Sequence, residues 1–424
     1  MPKILKLSPY YYPEQVSSSH MTRDLNEELF RSGYTIENFV PTPSRGITKE
    51  VRDKYKKIKH EELDDGHTIV HRFSMIPEGK NPIQRALKYV LVNLTQYRKG
   101  SRAEGIDLIY AGSTPPTQGF LCAKVKRKLS KRYGRNVPFV FNLQDIFPDS
   151  LVNAKMTHKG SLIWKIGRKI EDYAYRNADI IITISEDFKE NILAKGVPES
   201  KIRVIPNWVN TENVYAVKRE DNVLFPRYNL DPSLFYICYS GNIGHSQNLD
   251  LLLSVAKKIR GEFPSVRFVL IGEGAAKEET QQKIEAEKID NVIMLPFQDY
   301  SEISHVFSLG DAGLIISKPG VGGSSVPSKT WSIMAAERPI IASLDQNSEL
   351  AKLIASSKSG VVADAGDEEA LIEAIRFFVE EPDKRREMGV NGMKYLKEYA
   401  NKEKSVSQYL SVMDEVSEAS EARE

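Results

Sequence analysis

Cysteine is scarce in this 424-residue chain, which contains only Cys122 and Cys238. Both lie in apolar or aromatic sequence, so neither a disulfide scaffold nor a zinc site is indicated, and we expect a reducing cytoplasm. The segment from Met1 to Ser8 has neither the long apolar core of a signal peptide nor the Arg and Ser bias of a transit peptide. No apolar run approaches the roughly 18 residues of a membrane-spanning helix. Any contact with a membrane is therefore expected at the surface.

An excess of charge of one sign is also missing. The chain has 59 Lys and Arg against 57 Asp and Glu, a formal net charge of +2. This balance excludes a chain-wide basic coat for nucleic acid. The 41% of apolar and 27% of charged residues are ordinary for a soluble globular protein, which excludes disorder and collagen-like repetition. At about 100 to 200 residues per domain, the length predicts two or three compact units.

Short apolar runs alternate with longer amphipathic segments along the whole chain, and this series occurs twice. The alternation is typical of βα units in a parallel sheet. The first series has predicted strands at 4–7, 35–40, 68–73, 107–110, 139–142 and 179–184. The second has them at 235–240, 266–271, 292–295, 312–316, 339–342 and 360–362. The sequence therefore predicts two doubly wound, Rossmann-like α/β domains.

The two series meet at Ile205-Pro206-Asn207-Trp208, where Pro and Asn favour a break in the pattern. We place the first domain at 1–206 and the second at 207–402. An amphipathic helix at 403–416 has no strand to follow it. We expect this helix to cross back onto the first domain.

Two glycine turns follow the first two strands of the second domain. They are Ser240-Gly241-Asn242-Ile243-Gly244 and Ile271-Gly272-Glu273-Gly274. Small residues there let backbone amides approach a phosphate or a sugar, and a helix amino terminus adds positive potential. The alternative is that the glycines only pack a helix against the sheet. The candidate binding residues are Gly241, Asn242, Gly244, Gly272, Glu273 and Gly274.

A long glycine and serine loop follows the fourth strand of the second domain. It runs from Lys318 through Gly323-Ser324-Ser325 to Pro327-Ser328-Lys329. Proline favours the first turn of a helix, so Pro327 indicates that a helix begins here. We expect the free backbone amides of 323–328 to face a diphosphate. Lys329 would supply a full positive charge to this diphosphate, and Lys318 would supply a second one. The alternative is a surface loop with a solvated lysine.

The order of these motifs resembles the retaining glycosyltransferases of the GT-B fold in glycosyltransferase family 4. Tyr12-Pro13-Glu14, Pro206-Asn207, the two glycine turns and Val326-Pro327-Ser328-Lys329 carry the resemblance. Within the family the chain is similar to the bacterial branch that builds O-antigen or capsule, some members of which handle N-acetylfucosamine or related amino sugars. The resemblance implies two domains facing across a cleft. The second would hold a sugar nucleotide, usually linked to UDP, and the first would hold the acceptor.

The resemblance also implies that no metal or other cofactor is needed. The sequence contains no Asp-x-Asp pair to hold a divalent ion against a diphosphate, so positive charge and helix amides would stabilise the leaving group. Many family members carry two glutamates eight positions apart. Alignment on Met334-Ala335-Ala336 puts Ser324 and Ser332 in those positions, where their hydroxyls would hydrogen-bond the sugar.

Polar residues also follow two strands of the first domain. Ser17-Ser18-Ser19-His20 begins a helix on the acceptor side, with His20 as a candidate catalyst or a helix-start surface residue. Gln144 and Asp145 follow the strand at 139–142. Gln144 would face the acceptor, and Asp145 would accept or orient the proton of the acceptor hydroxyl. Its alternative role is to cap the following turn.

A dense basic run, 124–132, lies late in a predicted helix of the first domain. A solvated face is one interpretation. The other is attraction to an anionic membrane surface, at about 1 kcal/mol per basic residue, which would place the protein at the inner face of the plasma membrane.

The resemblance thus implies a retaining enzyme that moves a hexose or N-acetylated amino sugar from a UDP-sugar to a polyprenyl-diphosphate-linked saccharide of a bacterial surface polysaccharide. One alternative is a GT-B nucleotide-sugar epimerase. Another is a non-catalytic sugar-nucleotide-binding assembly protein, suggested by the serines in the glutamate positions. Nucleic-acid binding is disfavoured because the basic run lacks interleaved aromatic residues.

Overall fold

The computed structural model describes residues 1–14, 19–77, 82–153, 157–321 and 327–421. The chain divides into two compact units. The N-terminal domain combines Met1–Pro206 with Glu403–Glu424, and the C-terminal domain is Asn207–Lys402. The division falls within the predicted Ile205-Pro206-Asn207-Trp208 segment.

The N-terminal domain is built on an eight-stranded sheet. Its strands are β1 Lys3–Lys6, β2 Thr35–Pro41, β3 His60–Leu63, β4 Thr68–Phe73, β5 Leu108–Gly112, β6 Phe139–Leu143, β7 Ile180–Thr183 and β8 Ile202–Val204. Their spatial order is β3-β4-β2-β1-β5-β6-β7-β8, and only β3 pairs antiparallel to its neighbour. The order changes direction between β1 and β5. Open α/β sheets bind ligands at the carboxyl ends of the two strands on either side of such a change in order.

The C-terminal domain has a six-stranded parallel sheet. Its strands are β9 Phe235–Ser240, β10 Val266–Ile271, β11 Val292–Leu295, β12 Ala312–Ile316, β13 Ile340–Leu344 and β14 Gly360–Asp364. Their order is β11-β10-β9-β12-β13-β14. This is the Rossmann strand order, and the change of direction lies between β9 and β12.

Helices connect the strands in both domains. Those of the N-terminal domain are α1 Ser19–Arg31, α2 Lys49–Lys57, α3 Pro82–Gly100, α4 Gln118–Tyr133, α5 Asp149–Asn153, α6 Leu162–Asn177 and α7 Glu186–Ala194. Those of the C-terminal domain are α8 Leu224–Arg227, α9 Leu249–Ile259, α10 Lys277–Ala286, α11 Ile303–Ser308, α12 Lys329–Ala335, α13 Glu349–Ser357, α14 Glu368–Glu380 and α15 Pro382–Tyr399. The last helix of the chain is α16, Lys402–Glu421. Among the described residues, no helix combines the length and apolar content that crossing a bilayer requires.

Both faces of the C-terminal sheet are buried, which explains why its strands are continuous apolar runs. Cys238 and Val269 contribute to the core on one face, while Ile237 and Phe268 contribute to the core on the other. Adjacent residues of a strand point to opposite faces, so a strand covered by helices on both sides needs apolar residues at every position.

The C-terminal helix α16 belongs to the N-terminal domain, as predicted, and is longer than the expected 403–416. Tyr34 donates its hydroxyl to Asp414 at 2.5 Å, near the amino end of β2. Arg203 in β8 pairs with Glu415 at 2.6 Å. The N-terminal domain is therefore completed by the end of the chain.

All twelve predicted strands are present, within one or two residues at their ends, but β3 and β8 were not predicted. The sequence of β3, His-Glu-Glu-Leu, is polar because it forms an antiparallel edge. The strand β8 has only three residues. Neither gives the apolar run on which the prediction was based.

The two cysteines lie in different domains, Cys122 in α4 and Cys238 in β9, and both are buried free thiols. Burial raises the pKa of both, that of Cys238 to about 12. Each thiol therefore lies in the hydrophobic core of its own domain.

Candidate active site

The two glycine turns of the C-terminal domain pack against each other, because β9 and β10 are neighbours. The backbone N of Ile243 donates to the Glu273 carbonyl at 2.9 Å. A Cβ on Gly272 would lie 1.8 Å from the Gly241 carbonyl oxygen, and one on Gly274 would lie 2.1 Å from that of Ile243. Glycine is therefore required at 272 and 274 by backbone contact alone. This packing role is the alternative that the sequence analysis gave for these glycines. Ligand binding by the two turns therefore stays a proposal.

Lys329 is the first residue of α12, and its amine lies against the first glycine turn. Its Nζ is 3.7 Å from the centre of the Tyr239 ring. A Cβ on Gly241 would lie 2.9 Å from Nζ, so glycine leaves the space in which the amine sits. Burial lowers the pKa of Lys329 to about 7, while the nearby Cys238 acts in the opposite direction. An anion beside this amine would favour its charged form.

The other predicted donor residues of the two turns have contacts that shape the loops. Asn242 accepts a hydrogen bond at its carbonyl from the Tyr239 hydroxyl at 2.6 Å. The Gly244 N donates to Gln247 Oε1 at 3.0 Å. The Glu273 carboxylate is exposed and pairs with Lys277 at 2.5 Å. These contacts order the loops without using Lys329.

The loop after β12 meets the loop after β9. The backbone N of Lys318 donates to the Ser246 carbonyl at 2.9 Å, which brings Lys318 to the change in strand order between β9 and β12. Lys318 and Lys329 thus follow the strand next to the one that carries Gly241. Both are at the edge where a Rossmann sheet binds its ligand.

The start of α12 differs from the prediction in one respect. The helix begins at Lys329 with Ser328 as its N-cap residue, so Pro327 precedes the cap and is not in the first turn. Ser328 is exposed, and Ser332 in the helix is partly exposed. The predicted residues Gly323, Ser324 and Ser325 lie outside the described residues.

In the N-terminal domain, Gln144 and Asp145 follow β6 and are held by a residue that the sequence analysis did not single out. Ser113, just after β5, accepts hydrogen bonds at its Oγ from the backbone N of both, each at 3.0 Å. Ser113 is 6% exposed. Because β5 and β6 are adjacent, its hydroxyl fixes the turn that carries both candidates. A polar residue directly after an apolar strand was the available signal.

The Asp145 side chain is accessible to solvent. Partial desolvation raises the pKa of its carboxyl, while hydrogen bonds from Ser150 and the Ile146 backbone act in the opposite direction. A raised pKa makes a carboxylate a stronger base. The Ser150 contact also fits the capping role, so the geometry is compatible with both interpretations.

Gln144 belongs to a polar network that reaches the C-terminal helix. We call Tyr110, Asn142, Gln144 and Tyr409 the Asn142 network. Asn142 Oδ1 accepts from Gln144 Nε2 at 2.8 Å and from the Tyr409 hydroxyl at 3.1 Å, and Asn142 Nδ2 donates to the Tyr110 hydroxyl at 2.8 Å. Tyr409 is 1% exposed. The helix α16 therefore supports the strand end that carries Gln144.

The loop after β1 leads to the other predicted residues of this domain. Ser19 and His20 begin α1 and are partly exposed, whereas Ser17 and Ser18 lie outside the described residues. Glu14, at 3% exposure, accepts at Oε1 from the backbone N of Ser44 at 2.7 Å. Glu14 thus anchors the loop after β2.

Several charges of the basic run in α4 have partners inside the domain. Lys126 pairs with Asp179 at 2.5 Å, and Arg132 donates to the Ser101 carbonyl at 3.1 Å. Part of the run therefore stabilises the domain. Its exposed members are Arg127, Lys128, Lys131 and Arg132.

No group of three or more His, Cys, Asp or Glu residues in the described parts of the chain is arranged to hold a metal ion.

Each domain matches a known family. Residues 19–213 match the model described as Glycosyltransferase Family 4, and residues 221–395 match the model described as Glycosyl transferases group 1. A curated relative is the putative colanic acid biosynthesis glycosyl transferase WcaI of Escherichia coli (strain K12). It is 24% identical over 380 residues, which cover 88% of this chain and 91% of the relative.

Solved structures share the fold at lower identity. Sucrose-phosphate synthase from Thermosynechococcus elongatus superposes with a TM-score of 0.74 at 19% identity, covering 99% of this chain and 100% of that one. Anabaena HepE in complex with UDP and glucose superposes with a TM-score of 0.72 at 15% identity, covering 98% and 100%. The two matched ranges span both Rossmann-like domains. The chain is a glycosyltransferase with the GT-B fold, of the family 4 and group 1 type.

Proposed function

We propose that the chain transfers a hexose or an N-acetylated amino sugar, such as N-acetylfucosamine, from a UDP-sugar to a polyprenyl-diphosphate-linked saccharide. The reaction retains the configuration of the sugar and contributes to a bacterial surface polysaccharide. The name of the relative WcaI supports the pathway, and the complex of HepE with UDP supports the nucleotide. The observation that carries the proposal is the Lys329 amine beside Gly241, at the β9 and β12 strand ends.

The donor diphosphate would lie next to Lys329 and the first glycine turn. There the ammonium group would balance the charge that develops on the leaving diphosphate, with Lys318 as a second cation. Backbone amides of the glycine turns would donate to phosphate oxygens. The Ser332 hydroxyl would contribute a neutral hydrogen bond to the donor. No metal or cofactor is part of this mechanism.

The acceptor hydroxyl would lie near Asp145 in the N-terminal domain. As the glycosidic bond forms, this hydroxyl loses its proton, and Asp145 would accept or orient it. An oxygen of the leaving diphosphate is the alternative proton acceptor. Gln144, Ser19 and His20 would line the acceptor side.

The test of the donor site is the affinity of UDP for Lys329 variants. Lys329→Ala removes a partly buried charged contact, so UDP binding is expected to weaken at least about tenfold, or 1.4 kcal/mol. Lys352→Ala is a matched control, because Lys352 is an exposed lysine of α13 in the same domain. Unchanged UDP affinity in a folded Lys329→Ala protein would refute the assignment.

Proton linkage gives the same experiment a second readout. The amine of the unliganded protein has a pKa of about 7, and a bound diphosphate would raise it. UDP binding near pH 8 should therefore take up protons, and the affinity should fall as the pH rises above about 7. Calorimetry in buffers of different ionisation enthalpy measures the uptake. Lys329→Arg, which stays charged, should bind UDP without that uptake.

Two other functions are separated by nucleotide release. A transferase releases UDP from its donor only with a lipid-linked acceptor present, apart from slow hydrolysis. An epimerase would release nucleotide without acceptor, and a non-catalytic assembly protein would bind the donor and release none. Release that does not depend on the acceptor would contradict the transferase proposal.

We also propose that the protein works as a peripheral protein at the inner face of the plasma membrane. The exposed side chains of Arg127, Lys128, Lys131 and Arg132 support this location, since basic residues near a surface attract anionic lipid.

A further inference from the structure

The outer face of α3 is apolar. Leu87, Val90, Leu91 and Leu94 are 53%, 54%, 36% and 57% exposed. Their spacing places all four on one side of the helix, whereas Lys88, Val92 and Gln96 are buried on the other. A helix that covers a sheet normally carries polar residues on its outer face. This exposed stripe is therefore not explained by the packing of the domain.

A second apolar group lies at the start of α6. Leu162, Ile163 and Ile166 are 73%, 58% and 51% exposed. The helix α4 packs between α3 and α6. We name these three residues, together with Leu87, Val90, Leu91 and Leu94, the aliphatic patch. It flanks the helix that carries the exposed basic residues.

The aliphatic patch lies toward the edge of the sheet where the acceptor-side residues are. Tyr89 in α3 shares a hydrogen bond with the hydroxyl of Tyr10, in the loop after β1, at 2.8 Å. At α6, a Cβ on Gly167 would lie 2.8 Å from Pro148, in the loop that also carries Asp145. Both parts of the patch are thus next to loops that follow the carboxyl ends of strands.

The charge on this face selects among possible occupants. Neither α3 nor α4 contains an Asp or Glu, while their exposed basic residues are Arg85, Arg98, Lys99, Arg127, Lys128, Lys131 and Arg132. A second copy of the chain, docked face to face, would bring these like charges together. An anionic bilayer would instead accept the aliphatic side chains and attract the basic ones.

We propose that the aliphatic patch inserts into the interfacial region of an anionic bilayer, with the exposed basic residues of α4 against the headgroups. This inference rests on the proposed function, because insertion of the patch would present a lipid-linked acceptor beside Asp145. It goes beyond electrostatic attraction, because the patch provides an apolar, salt-insensitive part of the binding.

The test compares matched variants on vesicles of phosphatidylcholine and phosphatidylglycerol. Val90→Gln changes a patch residue, and Val390→Gln changes an equally exposed valine of α15 in the C-terminal domain, at 55% exposure. Leu87→Gln combined with Leu94→Gln enlarges the effect. We expect the double variant to bind vesicles at least about tenfold more weakly, Val90→Gln to bind measurably more weakly, and Val390→Gln to bind as the unchanged protein does.

Salt and nucleotide binding complete the design. In high salt the unchanged protein should keep residual vesicle binding that the double variant loses, because salt screens only the basic contribution. Equal vesicle binding by the unchanged protein and the folded double variant would overturn the inference. So would a patch-dependent dimer, seen by sedimentation, without vesicle binding. UDP affinity, measured on the same variants, tests the donor site separately, so failure of either proposal is distinguishable from failure of the other.

Discussion

Lys329 and Asp145 both have pKa values displaced toward neutrality by desolvation, although they lie in different domains. Loss of water favours the uncharged form of either group, so the pKa of the amine falls to about 7 and that of the carboxyl rises. Displaced pKa values are common at functional sites because catalysis requires groups that change protonation near the working pH. The two residues are thus suited to binding an anion and to receiving a proton.

Asp145→Asn should reduce turnover strongly while leaving UDP affinity nearly unchanged. The amide keeps the size of the side chain and loses its basicity, an effect of typically 10²- to 10⁴-fold for a general base. In the unchanged protein, kcat should fall as the pH is lowered through the raised pKa of Asp145, because protonation removes the base. Steady-state kinetics at saturating acceptor, over a range of pH, measures both effects.

Ser150→Ala is the companion variant. The hydrogen bond from Ser150 lowers the pKa of Asp145, so its removal should move the acidic limb of the kcat profile to higher pH. Wild-type turnover in Asp145→Asn would show that Asp145 only caps the following turn. It would favour an oxygen of the leaving diphosphate as the proton acceptor.

At the scale of elements, the strands were predictable and the contacts between distant elements were not. Strands buried on both faces give apolar runs, which the sequence displays directly, whereas β3 and β8 lack them. The roles of Ser113 and Tyr409 depend on hydrogen bonds across 31 to 267 positions of the chain. Such contacts depend on strand order and helix docking, which no local pattern contains. Hence the sequence singles out Gln144 and Asp145 as candidates but does not reveal the residues that support them.

Tyr409→Phe should weaken the support of Gln144 by α16. Loss of the hydroxyl removes its hydrogen bond to Asn142, at a cost of about 1 kcal/mol in stability. We expect a higher KM for the acceptor with unchanged UDP affinity, because the affected strand end belongs to the N-terminal domain. Tyr34→Phe is a matched control that removes another hydrogen bond to α16, at Asp414 and away from Gln144. An equal rise in KM for both variants would indicate a general effect of α16 on stability.

On the scale of the whole molecule, the two domains repeat one topological principle. In each sheet the spatial order of the strands reverses once, between β1 and β5 or between β9 and β12. The candidate residues follow strands at or beside these positions, which is where open sheets leave space for ligands. The twofold βα series in the sequence predicted both sheets. The division of donor and acceptor between them is a proposal that kinetics must test.

Chelation should leave transfer unaffected, since Lys329, Lys318 and backbone amides are proposed to meet the diphosphate charge. The initial rate of transfer, measured with EDTA and again after adding magnesium or manganese, tests this expectation. The unfolding temperature with EDTA is the control for a structural effect. A rate lost with EDTA and recovered with either ion would show that the metal-free mechanism is wrong.

Each domain contains one buried thiol, so the reactivity of that thiol reports on local opening of its domain. Cys122 and Cys238 react as thiolates, and burial both shields them and raises their pKa. Alkylation under native conditions therefore requires the surrounding structure to open, and its rate follows the free energy of that opening. A Cys122→Ala chain would follow the C-terminal domain alone, and a Cys238→Ala chain the N-terminal domain. If UDP slowed alkylation of the Cys122→Ala chain and not of the Cys238→Ala chain, the nucleotide would be assigned to the C-terminal domain without any measurement of catalysis.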